Sequence, residues 1–152
     1  MKSKNNWMST KVKIAITSIL IITLALVRFF ESELFYDPLI SFFKGNYQKN
    51  ILPDYEYFKL IASTSSRFIL NTLISFLIVW VIFPKKSLIK FCFLFYGVAF
   101  LILITLFSIL VWDLESSSYF VLFYVRRFLI QPIFIIILLP AFYYQLQLKK
   151  ND

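Results

Sequence analysis

The sequence predicts an all-α protein, a four-helix transmembrane bundle with an amphipathic interfacial segment between the first and second spans. Of its 152 residues 60% are hydrophobic and only 16% are charged, whereas a soluble domain is about half apolar and a quarter charged. A chain this short could not hide so much Phe, Ile and Leu from water. Four apolar runs are each long enough to cross about 30 Å of hydrocarbon. We therefore expect residues 1–152 to form a single integral membrane domain.

The four predicted spans cover about 12–30, 58–83, 88–112 and 119–144. Lysines precede the first run as they would in a signal peptide, but no small-x-small cleavage site follows it before Arg28, so we expect it to remain as a span. Pro132 and Pro140 lie in the fourth run and predict kinks. The carbonyls that such kinks free must then bond to neighbouring helices or to Gln131.

The charges of the connecting segments predict the topology. Four lysines precede the first span, whereas the connection 31–57 carries five acids and two lysines. The turn 84–87 contains Lys85 and Lys86, the turn 113–118 holds two acids, and the tail ends in Lys149 and Lys150. The positive-inside rule places Lys-rich segments in the cytoplasm. Both termini are therefore predicted to be cytoplasmic, with the 31–57 loop facing outward.

Composition also excludes several function classes. The net charge of +8 comes from residues that flank the apolar runs, as expected beside anionic lipid, so we predict membrane lipid rather than nucleic acid as a partner. The chain has no His and one Cys, which rules out an internal disulfide and a Cys/His metal cluster. Cys92 is interpreted as a packing residue. We expect no cofactor, no metal and no catalytic residue.

The outward loop begins with FFESELFYDPLISFFKGNYQ, in which aromatic and aliphatic residues alternate with acids. Aromatic side chains enter the headgroup region while acids stay hydrated, and Pro38 interrupts any helix. One interpretation is a connector that lies along the membrane surface. The other is a docking loop for a partner protein, with the candidate residues Glu31, Phe35, Tyr36, Asp37 and Pro38.

Three arginines lie inside the predicted spans. At 1.5 Å per residue, Arg67, Arg126 and Arg127 fall about 11–14 Å below the outer surface. A charge near the membrane centre costs at least about 2.5 kcal/mol and usually faces a partner or a wet cavity. The arginines therefore predict one polar layer across the bundle.

Helical phase predicts which side chains join this layer. Thr64, Arg67, Asn71 and Ser75 fall within an arc of about 80° on the second span. A similar stripe on the fourth span contains Ser117, Tyr124, Arg127 and Gln131, and we expect the two stripes to face a shared polar pocket. Arg28, with Glu31 one turn later, could extend it. The candidate intramembrane layer is Arg28, Arg67, Asn71, Arg126, Arg127 and Gln131.

The layer has two interpretations. In the first, the arginines extend to the interface and hold the bundle in register through ion pairs, with the candidate partners Glu31, Glu33, Asp113 and Glu115. In the second, their guanidinium groups bind an anion such as a lipid phosphate or a partner carboxylate.

The strings VRFFESELFYDPLISFF at 27–43 and SRFILNTLISFLIVWVIF at 66–83 resemble the exosortase F system-associated protein family of Gram-negative, gliding-type bacteria. The resemblance covers nearly the whole chain, in length, span count and the position of the FYDPL segment. It implies a noncatalytic accessory protein of the bacterial inner membrane that binds an exosortase or its substrate's membrane segment.

An exosortase uses Cys, Arg and His together, and this chain has no His. The resemblance therefore implies that the chain is not the sorting enzyme. The alternative function is a small lipid- or anion-binding membrane transport component.

Overall fold

The computed structural model describes residues 8–45, 53–112 and 119–151. These residues form helices and no strands, so the predicted all-α fold is confirmed for them. The helices are α1 (Thr10–Phe29), α2 (Glu31–Leu34), α3 (Leu39–Lys44), α4 (Tyr57–Ile82), α5 (Lys86–Trp112), α6 (Tyr119–Ile130) and α7 (Ile133–Asn151).

Three of these helices, α1, α4 and α5, are long and apolar enough to cross a membrane, with mean hydropathies of 2.1, 1.7 and 2.7 over their most apolar stretches. Their ends lie within two residues of the predicted spans. The pair α6 and α7 meets the same criterion together and is bent by 61° between them. Among the described residues the protein therefore has three candidate spans, or four if the bent pair is one span.

Helix α4 lies at the centre of the bundle and packs against α1, α5 and α6. Its buried face includes the four polar residues of the predicted stripe, Thr64, Arg67, Asn71 and Ser75. The Ser75 hydroxyl donates to the Asn71 carbonyl at 2.7 Å. This bond lies within α4 and does not depend on the face, but all four side chains are buried, so the structure places the predicted stripe on the inward face of this span.

Aromatic rings fill the space between α4, α5 and α7. The ring of Tyr96 lies 5.5–6.2 Å from those of Phe68, Phe76, Phe95 and Phe134, mostly edge to face. Such arrangements align the positive edge of one ring with the negative face of another. Large rings therefore fill the core. The chain has only two glycines, and few glycines mean few places where helices can approach closely.

The bent pair α6–α7 follows the bundle from one end to the other. At its start, Tyr119 stacks edge to face on Phe42 of α3, with centroids 5.2 Å apart. Near its end, Phe142 contacts Phe83 and Phe91, at 6.2 and 5.9 Å, beside the turn between α4 and α5. These contacts favour one broken span over a re-entrant loop.

The bend falls at the first of the two prolines. Pro132 has no N–H to donate within the helix, and α6 ends at Ile130. The Ile130 carbonyl accepts a hydrogen bond from the Asn71 side chain at 3.0 Å. A kink with a neighbouring helix as donor is thus confirmed at Pro132, whereas Pro140 lies inside α7 without a break.

Candidate functional site

Asp37 lies at the centre of a group of charges at the end of the bundle that carries α2 and α3. The backbone is extended at Phe35 and enters α3 after Pro38, and the Asp37 side chain between them is 3% exposed. Its Oδ2 accepts hydrogen bonds from Nε of Arg126 at 3.1 Å and from Nη2 of the same residue. Nη1 of Arg67 lies 3.6 Å from that oxygen. One carboxylate therefore joins α4 to α6.

Glu31 makes a second junction, between α1 and α4. Its carboxylate accepts a hydrogen bond from Arg28 and lies 3.5 Å from Nη1 of Arg67. Its backbone carbonyl also accepts from Nη2 of Arg67 at 3.3 Å. The two junctions share Arg67 and form what we call the ion-pair cluster: Arg28, Glu31, Asp37, Arg67 and Arg126.

The two central arginines of the cluster are internal residues. The side chains of Arg67 and Arg126 are 2% and 7% exposed. The Arg67 guanidinium lies 4.8 Å from the ring centroid of Phe35, and that of Arg126 lies 5.8 Å from Phe43. An aromatic face stabilises a desolvated cation, so both charges have aromatic as well as acidic partners.

The space around the cluster is closed. The cleft between Arg28, Glu31, Arg67 and Asn71 is too small to hold a water molecule. This geometry supports the interpretation in which the arginines hold the bundle through ion pairs. The partners are Glu31 and Asp37, whereas Glu33 makes no ion pair among the described residues, and Asp113 and Glu115 lie outside them.

The predicted phase of the fourth span was wrong. Arg126 faces inward, whereas Arg127 is exposed and its Nε donates to Oε1 of Gln131 at 3.0 Å. Tyr124 is 43% exposed, and Ser117 lies outside the described residues. Neighbouring helical residues point 100° apart, and the inward face of α6 is the one that buries its apolar positions, Leu122, Val125 and Leu129.

The predicted docking residues make internal contacts. The Tyr36 hydroxyl accepts from the Glu56 backbone N–H at 3.2 Å, and the Lys59 ammonium lies 4.5 Å from the Tyr36 ring centroid. Leu39, which follows in α3, is fully buried. The segment therefore packs against the helices through these residues, and partner docking through it remains a prediction.

Two tyrosines that the sequence analysis had not singled out tie α4 to α5. The Tyr55 hydroxyl donates to the Val111 carbonyl at 2.8 Å, and that of Tyr57 donates to Ser108 at 3.3 Å. Burial raises the pKa of Tyr55, and the negative charge of ionised Tyr119 raises it further. The available signal was their position just before an apolar run, where amphipathic rings are enriched.

No group of three or more His, Cys, Asp or Glu side chains in the described part of the chain is arranged to hold a metal. Cys92 is free and fully buried, as a packing role predicts. No family model, curated protein or solved structure matches this chain.

Proposed function

We propose that this protein is a noncatalytic accessory subunit of an exosortase-type protein-sorting system in the bacterial inner membrane. It binds a partner membrane protein, either the exosortase or the membrane segment of its substrate. The sequence strings at 27–43 and 66–83 support the choice of system. The observation that carries partner binding is the exposure of α1.

Helix α1 is a strongly apolar span that packs on little of the protein. Only 6% of its most apolar stretch is buried, against 44% for α4, and its single buried residue is Leu24. Ala15, Ser18 and Ile22 are exposed and lie within about 60° of one another. Small residues on a span let another helix approach closely, so this face suits a partner helix.

The ion-pair cluster supports a role for α1 as a fixed surface. Arg28 lies in the last turn of α1. Its ion pair with Glu31, which also pairs with Arg67, links α1 to α4. Because the charges are paired inside the bundle, α1 is anchored at this end while its outer faces stay open. An anchored and open helix supports binding of a partner without a large rearrangement.

Co-purification in mild detergent, followed by mass spectrometry, tests the proposal. Ser18→Trp places a large ring on the proposed face. Thr105→Trp is the matched control, since Thr105 is also a small exposed hydroxyl residue, on α5. We expect the wild type and Thr105→Trp to retain the same membrane protein and Ser18→Trp to lose it.

Two outcomes would contradict the proposal. If the wild type retains no membrane protein above a mock purification, the accessory role is wrong. If Ser18→Trp retains the partner at the wild-type level, α1 is not the binding surface.

The proposal includes cytoplasmic termini, supported by the alternation of acidic and basic connections. Alkaline phosphatase is active only outside the cytoplasm. A fusion after Lys150 should be inactive, and a fusion near Asn46 should be active. The reverse pattern would overturn the orientation.

The alternative, a lipid- or anion-binding transport component, needs a passage or a pocket at the arginine layer. The cleft beside Arg67 is closed, and the open groove that Arg28 and Gln131 line is a surface feature next to α1 and not a passage through the bundle. We therefore propose one function.

A further inference from the structure

An open groove of about 250 Å³ lies between α1 and the bend of α6–α7. Its wall is mostly apolar and includes Ala25, Ile133 and Ile136, while Arg28 and Gln131 supply its polar groups. The groove lies outside the closed cleft of the ion-pair cluster. An apolar wall can hold an acyl chain, and cationic and amide groups can hold a headgroup. The groove therefore has both features of a lipid site.

The charges around this groove do not balance. Arg28, which lines the groove, is paired with Glu31, whereas Arg127, which is hydrogen-bonded to the groove residue Gln131, adds a positive charge. Among the described residues Arg127 pairs with no acid. A guanidinium without an acidic partner beside an apolar groove favours an anionic ligand.

The donor groups suit a phosphate. Gln131 lines the groove, and its Oε1 accepts a hydrogen bond from Nε of Arg127. The Gln131 amide NH₂ is thus a donor at the groove, and the terminal N–H groups of Arg127 lie next to a lining residue without lining the groove themselves. Arg28 is 44% exposed and lines the same groove. Guanidinium and amide N–H groups bind phosphate oxygens with charge-assisted hydrogen bonds.

We propose that this groove binds an anionic phospholipid. The phosphate is held by Arg28, Arg127 and Gln131, and an acyl chain lies against Ala25 and Ile136. A soluble anion would make no use of the apolar wall, whereas a phospholipid uses both parts. Ala25 lies about two turns from Ser18 on the same face of α1, so the lipid is tested on the purified protein without a partner.

A lipid titration of the delipidated protein, followed by native mass spectrometry, tests the site. The two probes are phosphatidylglycerol and phosphatidylcholine with identical acyl chains, which differ in net charge. We expect phosphatidylglycerol to bind at least about ten-fold more tightly, because only it supplies an uncompensated negative charge. Millimolar inorganic phosphate should not displace it.

Two pairs of variants separate the groove from the general surface. Arg127→Gln should weaken phosphatidylglycerol binding about ten-fold, whereas Lys44→Gln, which removes an exposed charge from α3, should not. Ala25→Phe fills the apolar part and should weaken both lipids, whereas Ala62→Phe adds the same bulk to an exposed site on α4 and should weaken neither. Circular dichroism checks that each variant is folded.

Equal affinity for the two lipids would overturn the proposal, as would wild-type lipid binding in both Arg127→Gln and Ala25→Phe. Displacement of the lipid by inorganic phosphate would replace it with a site for a soluble anion.

Discussion

The two ends of the bundle are held together by different forces. At the end that carries α2 and α3, Asp37 and Glu31 join three helices through arginines. At the other end, Phe142 packs on Phe83 and Phe91. An aromatic contact accepts many apolar substitutes, whereas a buried charge requires an opposite charge at one position. The comparison suggests that the charged end sets the helix register and that the aromatic end fills space.

The largest expected effect follows from removing the charge of Asp37. Asp37→Asn leaves Arg67 and Arg126 buried with Glu31 as the remaining acid of the cluster, and breaking a buried pair costs about 3–5 kcal/mol. The control Glu33→Gln removes an exposed acid and should change the free energy of unfolding by less than about 0.5 kcal/mol. SDS-induced unfolding in mixed micelles measures both, and equal losses would show that the cluster does not set stability.

Replacing arginine with lysine sharpens the comparison within the charged end. Lysine keeps the charge but lacks the planar fork, so Arg67→Lys cannot hold both Glu31 and Asp37 and should lose about 2 kcal/mol. Arg127→Lys affects an exposed side chain and should lose less than about 0.5 kcal/mol. The same unfolding assay applies. A larger loss at Arg127 would contradict the assigned face of α6.

Asn71 tests the middle of the bundle, where its side chain donates to the carbonyl freed at the bend. Asn71→Leu removes that donor and should reduce the free energy of unfolding by about 1.5 kcal/mol, near the upper end for a hydrogen bond between membrane helices. The control Thr72→Val removes the hydroxyl of the next residue and keeps the size of its side chain. If both variants unfold like the wild type, the hydrogen bond to Ile130 contributes nothing.

The smallest effect is expected at the aromatic end. Phe142→Leu keeps an apolar side chain and loses only the edge-to-face contacts with Phe83 and Phe91, which are worth about 0.5–1 kcal/mol. The midpoint of unfolding should shift slightly. A loss as large as that of Asp37→Asn would show that this end also sets the register.

The sequence predicted the polar stripe of α4 but not that of α6. On α4, Thr64, Arg67, Asn71 and Ser75 repeat at helical spacing, so one face is polar whatever packs on it. On α6 the adjacent Arg126 and Arg127 offer two faces. Which face turns inward depends on which apolar residues of α6 pack against α4 and α5. The sequence of α6 alone does not contain these contacts.

The position of Asp37 in the loop could not be predicted from the local sequence either. Its sequence context, an acid among aromatic residues, is equally compatible with an exposed interfacial position. It points inward because α3 packs on α6 and presents the carboxylate to Arg126, 89 residues away. Glu31, one turn from Arg28, could therefore be predicted as an acidic partner from the sequence, whereas Asp37 could not.

By itself the sequence determined the all-α class, the ends of three spans and the bend at Pro132, because hydropathy and the missing proline N–H act over one turn or one helix. It also predicted that Arg67 and Arg126 lie in one layer, since rise per residue is constant along a helix, and the two share Asp37 in the structure. Only the tertiary structure decided which arginine faces inward and which acid neutralises it. Those choices depend on contacts between segments that are distant in the chain, where one charge can be paired in several ways and packing selects among them.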